Sequence, residues 1–315
     1  MKAVWLHFGI VALGCAGFAA LAFQNQAPPT AAESAKDNAR IILDVTRVNM
    51  LFTVTDKKGR FVTDLTEKDF EVYESKKKQN IQQFTAESDL PLRLAILIDT
   101  SNSIRERFRF EQEAASTFIK EVVRRGTDKA TIVSFDTNAE LVTDLTDQVQ
   151  ELDRGIMRLR PGGGTAFYDA VFFASRDKLM KDQPRDKFRR AIIIVSDGED
   201  NQSHVTRDQA LEMAQKADAV IYAISTNITH IETEGDKVLR YFTAETGGQA
   251  FFPFKVEDLE QSFENIANEL RHQYNIFYRP EPLLTDGLYH AVQLKVKDRK
   301  DYIVRARKGY YAPKL

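Results

Sequence analysis

Four apolar runs in the middle of the chain constrain the fold more than any other feature. They lie at 92–98, 130–135, 191–195 and 219–224, and each is long enough for a strand buried on both faces. Between and after them, stretches with amphipathic helical character occupy 106–125, 147–159, 166–181, 207–216, 236–246 and 259–273. This alternation predicts an α/β fold with a mostly parallel sheet and helices on both faces. The segment 139–145 closely follows the second run, and we expect it to form an antiparallel edge strand.

Two shorter zones, 40–88 and 275–315, flank this α/β domain at 89–274 and show the period-two pattern of strands. Val48, Met50 and Phe52 alternate with polar or outward positions, and strands are also expected at 61–62, 70–72 and 81–84. In the second zone, alternation at 292–297 and a start at 302–304 predict two more strands. Each zone is too short for a core of its own. We therefore expect the two zones to pair, so that the α/β domain is inserted into a small discontinuous β-sandwich.

The charge and cysteine content exclude several classes of function. The 315 residues include 44 Lys and Arg against 46 Asp and Glu. This near balance argues against nucleic-acid binding, which depends on a basic excess at phosphates. Cys15 is the only cysteine, so the chain has no internal disulfide, no cysteine-based zinc site and no iron–sulfur cluster.

The N-terminal segment has the pattern of an export signal. Lys2 precedes an apolar stretch at 3–23 that contains Ala20-Leu21-Ala22, which predicts a signal peptide at 1–22. The stretch is also long enough for an uncleaved anchor, and Leu13-Gly14-Cys15 suggests a lipidation site as a third alternative. All three place the rest of the chain outside the cytoplasm, periplasmic or secreted, with membrane contact only through an anchor. The polar, proline-containing stretch 23–39 is expected to be a flexible linker.

Three polar clusters follow the expected central strands. Asp99, Ser101 and Ser103 come after the first run, glycines 162–164 and Thr165 precede a helix, and Asp197 follows the third run. Ligands of open α/β sheets bind beyond the carboxyl ends of the strands, where these loops would meet. Two carboxylates and three hydroxyls suit a hard cation, Mg²⁺ or Mn²⁺. Hydroxyl ligands leave the cation under-neutralised, so an acidic residue of a partner protein is expected to complete its coordination.

The order and spacing of these five residues resemble the metal-ion-dependent adhesion site of von Willebrand factor type A domains. The resemblance implies that Ser101, Ser103 and Thr165 touch the metal, and that Asp99 and Asp197 act directly or through water. Mg²⁺ is the expected ion, with Mn²⁺ or Ca²⁺ as alternatives. The flanking stretches 54–59, 65–74, 246–249 and 309–312 look like those of the von Willebrand factor type A-related proteins of Acidobacteria. One departure is the turn at 75–78, where that group usually has a glycine.

Enzyme motifs are absent from the sequence. It has no G-x-S-x-G, H-E-x-x-H or G-x-G-x-x-G, and the glycines at 162–164 lead to Thr165-Ala166 rather than to a P-loop lysine. We expect no catalytic residues and no enzyme activity, and we interpret His204, near Asp197, as a solvated loop residue.

The expected function is an extracytoplasmic, metal-dependent adhesion module. The alternative is a structural or assembly subunit of an envelope complex whose metal mainly stabilises the fold, and a metal-dependent hydrolase ranks third.

Overall fold

The computed structural model describes residues 47–86, 90–184, 187–227, 229, 231–255 and 257–314. They fall within one compact unit, Ile42–Leu315. The expected signal or anchor segment at 1–22 and the linker at 23–39 lie outside the described residues. In the described part of the chain, no helix combines the length and apolar character needed to cross a membrane.

Helices and strands alternate through the middle of the chain and give way to strands at both ends. The strands are β1 (Val48–Thr55), β2 (Phe70–Glu74), β3 (Lys77–Gln79), β4 (Ile81–Thr85), β5 (Leu92–Asp99), β6 (Lys129–Phe135), β7 (Ala139–Thr146), β8 (Arg189–Ser196), β9 (Ala219–Ser225), β10 (Ala250–Phe251), β11 (Tyr274–Tyr278), β12 (Tyr289–Val296), β13 (Ile303–Ala306) and β14 (Gly309–Tyr311). The α-helices are α1 (Phe108–Val122), α2 (Val149–Arg158), α3 (Phe167–Phe173), α4 (Arg207–Lys216), α5 (Glu234–Thr246) and α6 (Glu257–Arg271). A π-helical segment, Ala174–Leu179, continues α3.

The central sheet has six strands in the order β10-β9-β8-β5-β6-β7. Neighbouring strands are parallel except for β7, which pairs antiparallel with β6 at the edge, as its position close behind β6 predicts. The strand β10 is two residues long, too short to leave a period in the sequence. The sheet places the carboxyl ends of β5, β8 and β9 side by side at one edge.

Both faces of this sheet are covered. All residues of β5, β8 and β9 are buried. Along β5, Leu94 and Ile96 point to one apolar cluster with α1, α2 and α6, whereas Ala95 and Leu97 point to the other with α3, α4 and α5. Because successive strand residues face opposite sides, burial on both sides requires apolar residues at every position. The α/β fold class with helices on both faces is confirmed.

The flanking zones pair with each other, as expected. One four-stranded sheet has the order β13-β1-β11-β4 and the other β14-β12-β2-β3, so each combines strands from both flanks. Phe52 and Val72 share an apolar core with Tyr274 and Leu294. The discontinuous sandwich is confirmed, and the exact domain boundaries stay predictions.

Two local features differ from the sequence-based expectation or refine it. Phe61 forms only an isolated bridge with Thr55 rather than a strand. The reason is that β11 pairs with the same edge of β1 as far as Phe52. Only the last residues of β1 remain free on that edge for pairing with Phe61. The turn between β2 and β3 has positive φ at Ser75 and Lys76, 49° and 66°. This is the pattern of a type I′ hairpin, reached here without glycine.

Candidate metal centre

Asp99 is the last residue of β5 and is completely buried at the carboxyl edge of the sheet. Its Oδ1 accepts a hydrogen bond from the backbone N–H of Ser101 at 2.8 Å, and its Oδ2 accepts one from Ser196 Oγ at 2.7 Å. Burial raises the pKa of Asp99 to about 6, although the bonds from Ser196 and Ser101 oppose this rise. The carboxylate is therefore held in one orientation, in surroundings where a positive charge would stabilise it.

Ser101, Ser103 and Asp197 form a short chain of oxygens beside Asp99. Ser101 Oγ lies 2.9 Å from Ser103 Oγ, and Ser103 Oγ donates to Asp197 Oδ2 at 2.8 Å. A single 3₁₀ turn, Asn102–Ile104, brings the two serine hydroxyls to the same side. Asp197 comes from the loop after β8, so the chain of contacts joins the ends of two adjacent strands.

The glycine loop before α3 is hydrogen-bonded to the loop that follows β5. The N–H of Gly162 donates to Thr100 O at 2.6 Å, and Asn102 Nδ2 donates to Gly163 O at 3.0 Å. Gly163 has φ +81°, and a Cβ there would lie 2.7 Å from Thr137 Oγ1. This position therefore needs a residue without a side chain.

Thr165 is buried, and its backbone is bonded to the loop that follows Asp197. Its N–H donates to Asn201 Oδ1 at 3.0 Å, and its carbonyl accepts from the N–H of Asn201 at 2.9 Å. Among the described residues, no hydrogen bond joins the Thr165 hydroxyl to Asp99, Ser101, Ser103 or Asp197. The structure thus links four of the five expected ligands directly and places the fifth on the loop that faces them.

The loop after Asp197 is tied to the start of α3. Asp200 Oδ2 accepts from the N–H of Tyr168 at 3.0 Å, and Asp169 Oδ1 accepts from the N–H groups of His204 and Val205. The His204 ring contacts Asp169 Oδ2 at 2.9 Å, with 82% of its side chain exposed. Although burial favours the protonated form, hydrogen bonds from Val205 and His204 hold the pKa of Asp169 below its ordinary value. His204 therefore helps to anchor this loop to the helix.

Two residues that support the site were not identified from the sequence. Ser196 bonds to Asp99 and also accepts from the N–H of Gly198 at 3.0 Å. A Cβ on Gly235, in the first turn of α5, would lie 2.1 Å from Asp197 O. The sequence signals for them are a hydroxyl directly before the Asp197 loop and a glycine where a helix former is expected.

The donor set fits a small divalent cation that prefers oxygen. Across the described ranges, no three His, Asp or Glu side chains gather closely enough to hold a metal by themselves, so a cation here depends on the hydroxyls. In an octahedral shell with metal–oxygen distances of about 2.0–2.1 Å, adjacent oxygens lie about 2.9 Å apart. The spacings from Ser101 Oγ to Ser103 Oγ and on to Asp197 Oδ2, 2.9 and 2.8 Å, are those of ordinary hydrogen bonds and are also compatible with that separation.

Comparison with known proteins identifies the family of the central domain. Residues 94–199 match the family model of the von Willebrand factor type A domain. This match contains Asp99, Ser101, Ser103, Thr165 and Asp197, and confirms the resemblance to these domains; the closer likeness to Acidobacterial proteins stays a prediction. No protein with a curated description matches the chain in sequence.

Solved structures are similar to this chain at low sequence identity. Proximal thread matrix protein 1 from the mussel byssus, described with a zinc-occupied MIDAS motif, has a TM-score of 0.50 and 16% identity, covering 62% of this chain and 49% of its own. A von Willebrand factor type A protein from Catenulispora acidiphila scores 0.49 at 15% identity, with 78% and 74% covered. A D319A mutant of the PilB minor pilin from Streptococcus sanguinis scores 0.48 at 13% identity, with 58% and 62% covered. The chain thus spans less than two thirds of the pilin and about half of the mussel protein.

Proposed function

Because the chain carries a von Willebrand factor type A domain at residues 94–199, we propose that it is an extracytoplasmic protein-binding module that depends on a divalent cation. The expected ligands hold the cation, and the cation binds an acidic side chain of a partner protein. The observation that carries the proposal is the linked series of oxygens Ser101 Oγ, Ser103 Oγ and Asp197 Oδ2 beside the buried carboxylate of Asp99.

The chemistry of the donors supports both steps. All five side chains offer hard oxygen, which favours Mg²⁺, with Mn²⁺ or Ca²⁺ as alternatives. The zinc in the description of the mussel protein adds Zn²⁺ to the cations worth testing. Three of the five donors are neutral hydroxyls, so the bound cation keeps its attraction for a further anionic oxygen. A glutamate or aspartate from a partner supplies such an oxygen.

The proposed role is binding rather than catalysis. Ser101 Oγ contacts Ser103 Oγ, and Ser103 Oγ donates to the carboxylate of Asp197, which is itself an expected ligand of the cation. His204 is engaged by Asp169 on an exposed loop. A nucleophilic serine is commonly activated by a histidine within hydrogen-bond reach, and among the described residues neither serine has a hydrogen bond to a histidine. The proposed location outside the cytoplasm rests on the export-signal pattern at 1–22 in the sequence.

A second function, in which the cation mainly stabilises an assembly subunit, is favoured by the complete burial of Asp99. A cation at this carboxylate would tie together loops from β5, from β8 and from the start of α3. On this alternative, the cation raises the melting temperature, but partner capture does not require it.

The test compares the full chain with Asp99→Asn, and uses Glu199→Gln, an exposed carboxylate of the Asp197 loop, as the control. Titration calorimetry measures Mg²⁺ and Mn²⁺ affinity, and the immobilised chain captures proteins from envelope extract in Mg²⁺ or in chelator. We expect Asp99→Asn to lose both cation binding and the Mg²⁺-dependent captured set, and Glu199→Gln to bind the cation within twofold of the parent. An identical captured set in Mg²⁺ and in chelator contradicts the adhesion function. A melting temperature that still rises with Mg²⁺ in the parent chain would then support the assembly role.

A further inference from the structure

Helix α1, which follows the loop of Ser101 and Ser103, carries a carboxylate that is buried in the interior. Glu111 is 1% exposed, and neither of its carboxylate oxygens has a hydrogen-bond partner among the described residues. It lies four positions before Ala115, on the face of α1 that packs against the sheet. A buried carboxylate without hydrogen bonds is among the least favourable groups in a protein interior, so its presence here calls for a compensating role.

The bonds of Arg107, one turn before Glu111 on α1, connect this part of the helix to the candidate metal centre. The negative charges of Asp99 and Asp197 act on Glu111, and Arg107 opposes them. Arg107 Nη1 donates to Thr226 O at 3.2 Å, and the N–H of Thr226 donates to Ser196 O at 3.1 Å. This series of bonds leads from Arg107 to Ser196, which itself holds Asp99.

Two further buried polar atoms, in Arg107 and Thr226, lack a hydrogen-bond partner among the described residues, as the Glu111 oxygens do. They are Arg107 Nη2 and Thr226 Oγ1. Arg107 and Glu111 have opposite charges one helical turn apart, yet among the ion pairs of the described residues they form none. Such atoms in protein interiors are commonly bridged by ordered water. Burial is the main cause that raises the pKa of Glu111 to about 8, and the charges of Asp99 and Asp197 add to it.

We propose that Glu111 is a positioning residue of the cation site, whose negative charge, balanced in part by Arg107, attracts the cation without ligating it. This inference rests on the proposed cation-dependent function. It gives the site three carboxylates instead of two, with the third acting through the electric field and through water. It also explains why a helix retains a glutamate on its apolar face.

The proposal has different consequences for the two states of the protein. In the cation-free chain near neutral pH, the raised pKa leaves Glu111 largely protonated, so Glu111→Gln removes little charge and changes the stability little. In the cation-bound chain, the positive charge favours the ionised carboxylate, and the same change removes the attraction that this carboxylate exerts on the cation. A glutamate with a merely structural role would instead lower the stability of both states equally and leave the affinity unchanged.

The test uses the full chain with Glu111→Gln, which keeps the shape of the side chain and removes its charge. The matched control is Glu113→Gln on the solvent side of the same helix, where Glu113 pairs with Arg109 at 3.1 Å. Titration calorimetry measures the affinity for Mg²⁺ and Mn²⁺, and thermal unfolding in chelator measures the cation-free state. We expect Glu111→Gln to weaken cation binding about tenfold or more, the scale seen for groups just outside a coordination shell. Its melting temperature in chelator at neutral pH should stay close to that of the parent, and Glu113→Gln should change neither quantity.

A second variant keeps the inference testable if Glu111→Gln does not fold. Arg107→Gln removes the positive charge that opposes Glu111, so it should tighten cation binding several-fold. An affinity within twofold of the parent in Glu111→Gln, or in Arg107→Gln where it alone folds, overturns the inference and leaves the proposed function standing. A parent chain that binds neither Mg²⁺ nor Mn²⁺ overturns both.

Discussion

Ser103 Oγ donates a hydrogen bond to Asp197 Oδ2 at 2.8 Å and so joins the loops that follow β5 and β8. The two residues are 94 positions apart in the chain, and β5 and β8 pair in parallel directly beneath them. The pairing register places the carboxyl ends of β5 and β8 next to each other. The Ser103 hydroxyl then connects the two loops that follow these strands. The candidate metal centre is therefore assembled by the sheet, with the loops contributing the oxygens.

Ser196→Ala should weaken cation binding by removing a hydrogen bond that orients Asp99. The change removes the hydroxyl that donates to the buried Asp99, and an unsatisfied buried group costs about 1–3 kcal/mol. We expect a loss of that size in the free energy of unfolding, together with a lower cation affinity. Urea denaturation and calorimetry measure the two effects.

The control is Ser225→Ala, since Ser225 Oγ donates to the carboxylate of Asp236 at 2.7 Å at the end of the adjacent strand β9. It should lower stability similarly and leave cation affinity intact. Equal losses of affinity in the two variants would contradict a specific role for Ser196.

Gly235→Ala should displace the Asp197 loop. An added Cβ would lie 2.1 Å from Asp197 O and 2.8 Å from the carbonyl carbon of Gly198. Overpacking of this kind costs about 1–3 kcal/mol, and the shift of Asp197 should also weaken cation binding. Gly162→Ala is the matched control, because a Cβ there meets nothing within 4 Å. A Gly235→Ala variant with the stability and affinity of Gly162→Ala would show that the contact is not restrictive.

In chelator, stability should fall as the pH rises from 5 to 8. Burial raises the pKa of Asp99 to about 6 and that of Glu111 to about 8, above their ordinary values of 3.8 and 4.5. The folded state therefore holds protons that the unfolded state has released, and stability declines with rising pH across this window. Urea denaturation at four pH values measures the slope, which the double variant Asp99→Asn, Glu111→Gln should flatten. A rise in stability over this range would contradict the raised pKa values.

Tyr310→Phe should weaken the sandwich without affecting the metal centre. Tyr310 Oη donates to the buried Glu74 Oε1 at 3.0 Å, while Tyr278 Oη donates to Oε2 at 2.9 Å. Loss of one donor to a buried carboxylate costs about 1–3 kcal/mol. Tyr73→Phe breaks a bond of the same type to Glu71 at the surface, and should cost less than about 1 kcal/mol. Thermal unfolding compares the two, and a reduced cation affinity in Tyr310→Phe would contradict the separation of sandwich and site.

The sequence predicted the central sheet well because strands buried on both faces must be apolar at every position, as β5, β8 and β9 are. It failed at Phe61 because pairing at that place depends on how far β11 extends along β1. Glu111 was overlooked although its spacing from Ala115, Phe118 and Val122 places it on the apolar side of α1. A charged residue at an apolar position was a signal available in the sequence.

By itself, the sequence determined the layered α/β architecture and the oxygen chemistry of the site, because hydrophobic periodicity and residue type are local properties. Only the tertiary structure decided that Ser196 and Gly235 support the site and that Ser103 bonds to Asp197. It also decided that Glu111 is buried with no hydrogen-bond partner among the described residues. These relationships depend on strand register and on burial, which arise only when distant segments pack. The shifted pKa values of Asp99 and Glu111 have the same origin, since desolvation is a property of the folded interior.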